Sequence, residues 1–229
     1  MLKALILDFN GVILNDEPLH FAAMRDAVAD YGIVLTPEAY WTKYLPFDDT
    51  RCLEAICRDH SCRLSAEKRD SALTRKALLY RQLLRGGFPL FPGAAQFISD
   101  AARRYPLALA SGARRDEIEM TLDATGLRRH FSVIVAAEDF FQGKPHPDSF
   151  LLALQRLNEI LGPPPIQPQE CLVIEDSVGG IQGARAAGMI CLAVANSYPR
   201  EALQTANRVI TSFEEVKPDS LHTLFEVTA

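Results

Sequence analysis

The sequence predicts a doubly wound parallel α/β sheet interrupted, just after its first strand, by an all-helical domain. Three observations carry that reading. Short apolar runs each end abruptly in polar residues, helical periodicity fills the segments between them, and from about residue 16 to 88 helical patterns follow one another with no strand pattern among them. A chain of 229 residues, 48% hydrophobic, is long enough for one large core and a smaller module.

The first run, Leu5-Ile6-Leu7, closes in Asp8-Phe9-Asn10-Gly11 and reads as a buried strand that delivers Asp8 to its carboxyl end. In an open parallel sheet that end faces a crevice where ligands bind, so Asp8 is either presented to a ligand or merely begins a turn. A helix opens at Glu17-Pro18, with Phe21, Met24, Val28 and Tyr31 at helical spacing before Gly32. Thr36-Pro37-Glu38 starts a second segment and Asp49-Thr50 caps a third that carries Leu53, Ile56 and Cys57. Ser65-Ala66-Glu67 begins a long helix with Leu73, Ala77, Tyr80 and Leu84 on one side. Its basic residues Arg69, Arg75, Lys76, Arg81 and Arg85 read as a solvated face.

Beyond Gly86-Gly87-Phe88-Pro89 and a helix started by Phe91-Pro92-Gly93, strands and helices alternate as in βαβ units. Leu107-Ala108-Leu109-Ala110 ends in Ser111-Gly112, and Ile118, Leu122 and Leu127 mark the next helix. Val133-Ile134-Val135 leads to Gly143-Lys144-Pro145-His146-Pro147-Asp148 and a helix face of Phe150, Leu151, Leu154 and Leu157. Leu172-Val173-Ile174 ends in Glu175-Asp176-Ser177, Ile190 to Val194 is a further strand, and Arg208-Val209-Ile210 is the last. Ser212-Phe213-Glu214-Glu215 reads as a capping box for a terminal helix.

Charge and composition narrow the partners. A net charge of -5 leaves no basic footprint for nucleic acid, which points to a small-molecule ligand. The odd set Cys52, Cys57, Cys62, Cys171 and Cys191 lacks metal-ligand spacing and reads as reduced, buried thiols, three on a helical segment and two in strands. No charged-then-apolar leader opens the chain and no apolar run is long enough for a bilayer, so a cytoplasmic protein without a membrane partner is expected, and a monomer.

Four strand ends therefore present Asp8, Ser111, the Lys144 region and Glu175-Asp176 to one side of the sheet. Asp8, Glu175 and Asp176 are hard oxygen ligands of the kind Mg²⁺ takes, and a cation relieves their mutual repulsion. Lys144 can hold a carboxylate nucleophile and a phosphoryl oxygen, while Ser111 and the Gly112 amide supply donors. These are parts for phosphoryl transfer through an aspartyl-phosphate.

With Asp8-Phe9-Asn10-Gly11-Val12 and Glu17-Pro18-Leu19-His20, Ser111-Gly112, Gly143 to Asp148, Ile174 to Ser177, Gly179-Gly180 and Ala186-Ala187-Gly188, the chain resembles the haloacid dehalogenase-like superfamily of phosphatases. It is most similar to the β-phosphoglucomutase-like group, over nearly its whole length. The resemblance implies a Rossmann-like core of residues 1–15 and 89–229 with a helical cap of residues 16–88. It implies a Mg²⁺-dependent phosphatase of a small phosphorylated metabolite, with Asp8 as nucleophile and metal ligand. The Asn10 carbonyl, Glu175 and Asp176 would complete the metal shell, and Ser111, Gly112 and Lys144 would bind the transferring phosphoryl group. Ala113, beside Ser111-Gly112, and His20, Thr50 and Arg51 in the cap would join the substrate-binding set.

The chain departs from the family pattern at Asn10, where a second Asp usually protonates the leaving group, a step typically worth about 10²–10⁴-fold. Four accounts stand open: a substrate whose leaving group needs little protonation, loss of turnover with retained binding, Asp16 as a substitute acid, or deamidation at Asn10-Gly11. Metal-free dehalogenation fits poorly with Glu175-Asp176, and a mutase would need proton transfer at both sugar hydroxyls. Phosphonate hydrolysis is a nearer alternative, with Lys43 as its Schiff-base lysine.

Overall fold

The computed structural model describes residues 1–45 and 47–225. Six strands run through it: β1 (Ala4–Leu7), β2 (Leu107–Ala110), β3 (Phe131–Val135), β4 (Cys171–Glu175), β5 (Ile190–Val194) and β6 (Arg208–Ile210). The longer helices are α1 (Glu17–Ala29), α2 (Asp49–Asp59), α3 (Ala66–Leu84), α4 (Ala94–Ala101), α5 (Arg115–Ala124), α6 (Asp148–Leu161) and α7 (Val178–Ala186). None of the described helices is long and apolar enough to cross a membrane.

The chain divides into two compact units, one formed by Met1–Asn15 with the chain from Pro89 onward, the other by Asp16–Phe88. In the first, the strands form one sheet in the order β3-β2-β1-β4-β5-β6, with every pairing parallel. Such a sheet is covered on both faces, which is why its strands are continuous apolar runs rather than alternations. Side chains still alternate in direction. Ile6, Ala108 and Val173, in register across β2-β1-β4, face α6 and α7 through Phe150, Leu157, Ile181 and Ala184. Leu7, Leu109 and Ile174 point the other way and are fully buried as well. The small residues Ala4, Ala108, Ala110 and Ala193 on the first face leave room for Phe150.

Chain order places the site. From β1 the chain builds outward to β2 and β3, then returns to the other side of β1 as β4. The strand order therefore reverses between β1 and β4, the place where parallel sheets open a crevice at their carboxyl ends. Leu7 pairs with Ile174 in that register, so Asp8 and Glu175 leave their strands at the same height. The chain leaves and re-enters this unit side by side, with Leu14 bridging Leu90 and the Asn15 N–H donating to the Pro89 carbonyl at 2.7 Å.

The second unit has its own core, built from Met24 and Val28 of α1, Leu53, Ile56 and Cys57 of α2, Ala72 of α3 and the buried Tyr40 and Tyr44. Four expectations are corrected within the two units. The cap of α2 is Asp48, whose carboxylate accepts from the Arg51 N–H at 2.9 Å, rather than Asp49-Thr50. Thr36 does cap its segment, but that segment consists of one short turn, Pro37–Ala39, and a wider one, Tyr40–Tyr44. Lys76 is not solvated: it shares the buried stripe Ala72, Lys76, Tyr80, Leu84 of α3, whose strict four-residue spacing runs beside the predicted Leu73 and Ala77. The terminal segment is a pair of tight three-residue-per-turn helices, Phe213–Glu215 and Pro218–Phe225, and Glu215 bonds back to Thr211 rather than closing a capping box with Ser212.

Candidate active site

Asp8 follows the last residue of β1 and its N–H donates to the Ile174 carbonyl at 3.0 Å, which fixes it beside β4. The next residues close a tight turn in which the N–H groups of Val12, Ile13 and Leu14 all point at the Phe9 carbonyl, at 3.3, 2.8 and 3.1 Å. Gly11 has φ +74, and a Cβ there would lie 1.9 Å from Asp176 Oδ2. Only glycine meets both conditions. Asn196, just beyond β5, donates its side-chain N–H to the Gly11 carbonyl at 2.7 Å and so ties the turn to the far side of the site.

Lys144 arrives from the loop between β3 and α6. Its Nζ stands 2.8 Å from Asp8 Oδ1 and 2.5 Å from Glu175 Oε1, and 5.1 Å from the centre of the Phe150 ring, within cation–π range. Glu175 is fully buried. Its second oxygen accepts from the Asp176 N–H at 2.8 Å and from the Ser177 N–H and hydroxyl at 2.9 Å. Ser177 in turn caps α7 by accepting from the Gly180 N–H at 3.0 Å, so the Glu175 carboxylate lies at the positive end of that helix. Gly180 makes this approach sterically feasible, since a Cβ there would sit 1.9 Å from the Glu175 carboxylate.

Asp8, Glu175 and Asp176 each offer a ligand atom within 4.8 Å of the others, and all three are buried. The electrostatics record their crowding. Burial, reinforced by the Glu175 charge and opposed by Lys144, pushes Asp8 up to about 6. Burial and the two neighbouring carboxylates hold Asp176 well above the ordinary range, although Ser197 bonds to it. Glu175 goes the other way: burial raises it, but Lys144 and the bonds from Ser177 outweigh burial and lower it. Lys144 is likewise held charged by its two carboxylates against the cost of burial. Asp8 Oδ1 has the ammonium beside it but, among the described residues, no well-directed hydrogen bond, and the buried side-chain oxygen of Asn10 has no partner among them.

Ser111 is buried at the end of β2, adjacent to β1; its N–H donates to the Val135 carbonyl at 3.0 Å and its hydroxyl accepts from the Ala113 N–H at 3.2 Å. Gly112 is exposed and Ala113 half-buried. Asp8, Lys144, Glu175 and Asp176 are thus brought together, and Ser111 to Ala113 end the neighbouring strand at the same edge.

His20, Thr50 and Arg51 belong to the second unit. Thr50 and Arg51 are exposed in the first turn of α2, with the Arg51 guanidinium 3.5 Å from Asp48. His20 lies in a polar chain that the sequence does not announce. Tyr80 donates to Asp16 Oδ2 at 2.5 Å, His20 Nε2 lies 3.1 Å from the same oxygen, and the rings of His20 and Tyr80 stack at 4.2 Å. Lys76 donates to His20 Nδ1 at 2.6 Å and to Asp49 Oδ2 at 2.8 Å, which assigns the His20 proton to Nε2, facing Asp16. Lys43 is exposed, 3.6 Å from Asp59. Asn196 and Ser197 go unrecognised in the sequence, where Lys76 reads as solvated and Gly180 only as one of a glycine pair; the polar pair after the β5 run is the one signal that draws attention to the first two.

A family model described as haloacid dehalogenase-like hydrolase matches residues 2–188. The chain is 33% identical over 194 residues to the fructose-1-phosphate phosphatase YqaB of Escherichia coli, covering 81% of this chain and 92% of that protein. Among solved structures, CbbY from Rhodobacter sphaeroides in complex with phosphate matches with a TM-score of 0.80 at 26% identity, covering 94% of this chain and 96% of that one. An Asp-to-Asn variant of that protein, in complex with xylulose-(1,5)bisphosphate, matches with the same score and identity. The extent of the family match, together with a relative one-third identical along most of both chains, shows that this protein belongs to the haloacid dehalogenase-like hydrolases.

Proposed function

We propose that the protein is a phosphatase of small phosphorylated sugars or related metabolites, working through Asp8. The observation that carries the reading is the Asp8 carboxylate set at the reversal of strand order, 2.8 Å from Lys144 and inside a buried cluster of three carboxylates. The relatives named above supply the substrate class, one being a fructose-1-phosphate phosphatase and another holding phosphate.

The residues fit a divalent cation. Three buried carboxylates face one ammonium, which leaves two negative charges uncompensated, and both Asp8 and Asp176 show that deficit in raised pKa values. Mg²⁺ would be held by Asp8, Asp176 and the Asn10 backbone carbonyl, next to Glu175, and when bound it supplies positive charge to the transferring phosphoryl oxygens. Glu175 spends its oxygens on Lys144, Ser177 and the Asp176 N–H, so its contribution is to orient the ammonium.

In the first step a carboxylate oxygen of Asp8 forms a bond to phosphorus as the ester bond breaks, and water later hydrolyses the aspartyl-phosphate. Lys144 holds Asp8 ionised and its ammonium toward the phosphoryl group, while the Ser111 hydroxyl and the Gly112 N–H donate to its oxygens. Residues 16–88 act as the cap, with Thr50 and Arg51 contacting substrate and His20 held in place by Asp16 and Lys76.

Asn10 has no titratable proton, so the leaving alcohol takes its proton from solvent and turnover is slow for poor leaving groups. Asp16 is a poor substitute, being 1% exposed and bonded by Tyr80 and His20. Deamidation is also disfavoured, because the Gly11 nitrogen that would attack the Asn10 side chain donates its proton to the Leu14 carbonyl at 3.0 Å. The second reading, a protein that binds phosphorylated ligands with little turnover, draws on the same Asn10 and on the sugar bisphosphate held by the Asp-to-Asn variant of CbbY. Phosphonate hydrolysis lacks support, since Schiff-base lysines are desolvated and Lys43 is exposed. Phosphate release from fructose 1-phosphate and an activated aryl phosphate, with Mg²⁺ or with chelator, tests the proposal. Mg²⁺-dependent release that Asp8→Asn abolishes supports it; tight phosphate binding without release favours the second reading.

A further inference from the structure

We propose that Cys57 and Cys62 form a dithiol site on the 16–88 unit that a peroxide oxidises to an intrachain disulfide. The local backbone brings them together. Helix α2 ends at Asp59, and Ser61 takes the left-handed conformation with φ +51. The Ser61 N–H then donates to the Arg58 carbonyl at 3.2 Å and the Cys62 N–H to the Cys57 carbonyl at 2.8 Å, the paired bonds of a Schellman motif. In that motif the side chain two residues past the helix cap meets the one on the last turn, and here both are thiols. Burial, reinforced by the neighbouring Cys62 thiol, pushes Cys57 up. A disulfide spans only about 4.4–6.8 Å between Cα atoms, and the Cys62-to-Cys57 backbone bond draws this pair together.

The surroundings favour oxidation at one member. Cys57 and Cys62 line a cavity of about 410 Å³ together with Glu54, Arg58, Arg63 and Arg69. Cys62 is half-buried whereas Cys57 is fully buried, so Cys62 is the thiol a peroxide reaches. The Cys62 sulfur attacks the peroxide O–O bond, giving a sulfenic acid and hydroxide, which takes up the proton Cys62 lost. The Cys57 sulfur then attacks the Cys62 sulfur; the S–S bond forms, the S–O bond breaks, and the oxygen leaves as water with the Cys57 proton. Two thiols are oxidised to one disulfide, and one peroxide is reduced to two waters. The link would pin the end of α2 opposite the turn that carries Thr50 and Arg51.

The test is titration of the whole protein with hydrogen peroxide, followed by thiol counting and mass mapping of a tryptic digest kept unreduced. Free thiols are expected to fall from five to three. Trypsin cuts after Arg58, so the peptides bearing Cys57 and Cys62 should appear joined and separate again on reduction. Cys52 shares a tryptic peptide with Cys57, so the joined peptides must vanish in Cys57→Ala and persist in Cys52→Ala. Five free thiols after oxidation, a link that survives Cys57→Ala, or a link between two chains would each overturn the proposal. The wild-type map decides the matter even where a variant folds poorly.

Discussion

The Lys144 ammonium and the Asp8 carboxylate stand 2.8 Å apart at the end of β1, and that ammonium is also shared with Glu175 at 2.5 Å. Removing it leaves buried like charges without an answer. Lys144→Met keeps the bulk and loses the charge, and is expected to cost about 3–5 kcal/mol of stability as a broken buried ion pair. Phosphatase activity is expected to fall by roughly 10²–10³-fold. Thermal melts with and without Mg²⁺ check the first part, because added Mg²⁺ should recover part of the lost stability.

Asn10 should be the limiting residue for difficult leaving groups. Asn10→Asp is expected to raise kcat on a sugar phosphate by on the order of 10²-fold or more, since general acid catalysis supplies about 10²–10⁴-fold. With an aryl phosphate, whose leaving group needs little protonation, the gain should be much smaller. The ratio of the two gains is the measurement.

Gly180→Ala should damage the site from a distance along the helix. A Cβ at that position would lie 1.9 Å from the Glu175 carboxylate, so either Glu175 moves or α7 does. Displacing Glu175 releases Lys144 from one of its two partners. Activity is expected to fall at least tenfold, accompanied by a lower melting temperature. Gly179→Ala, where a Cβ would meet nothing closer than 4.0 Å, should be mild by comparison.

Asp139 supplies a pH test away from the active site. It takes bonds from the Arg115 guanidinium at 2.5 Å, the Arg156 guanidinium at 3.1 Å and the Ala136 N–H at 2.8 Å. Burial would raise its pKa, but the bonds from Arg156 and Ala136 and the charges of Arg115 and Arg156 prevail and lower it from 3.8. A depressed carboxyl pKa stabilises the fold above the unfolded value, and the contribution is lost as pH falls through the folded value. Asp139→Asn should therefore melt lower than wild type at neutral pH. The two melting curves should converge as pH drops below 3.8.

Much of the fold is legible in the sequence because each strand is a continuous apolar run closed by polar residues. The runs Leu5 to Leu7, Leu107 to Ala110 and Leu172 to Ile174 are enough to place Asp8, Ser111 and Glu175 at one edge, and the strand order then sets Asp8 beside Glu175. The features that stay hidden depend on partners distant in the chain. Lys76 is one of several basic residues on α3, and nothing local reveals that His20 and Asp49 compensate its burial. Gly180 reads as a helix glycine until the Glu175 side chain is seen to cross it. The end of α2 escapes sequence reasoning because a serine, Ser61, takes the left-handed position where glycine is the usual marker, so Cys62 reads as helical when it lies beyond the helix.

Rapid acid quenching of the protein during turnover of an aryl phosphate with Mg²⁺ tests whether Asp8 carries the phosphoryl group. Mass mapping should place a phosphoryl adduct on the peptide containing Asp8, with no adduct and no phosphate release in Asp8→Asn. Phosphate release that continues in Asp8→Asn, with no adduct on that peptide in the wild type, would mean that Asp8 is not the nucleophile.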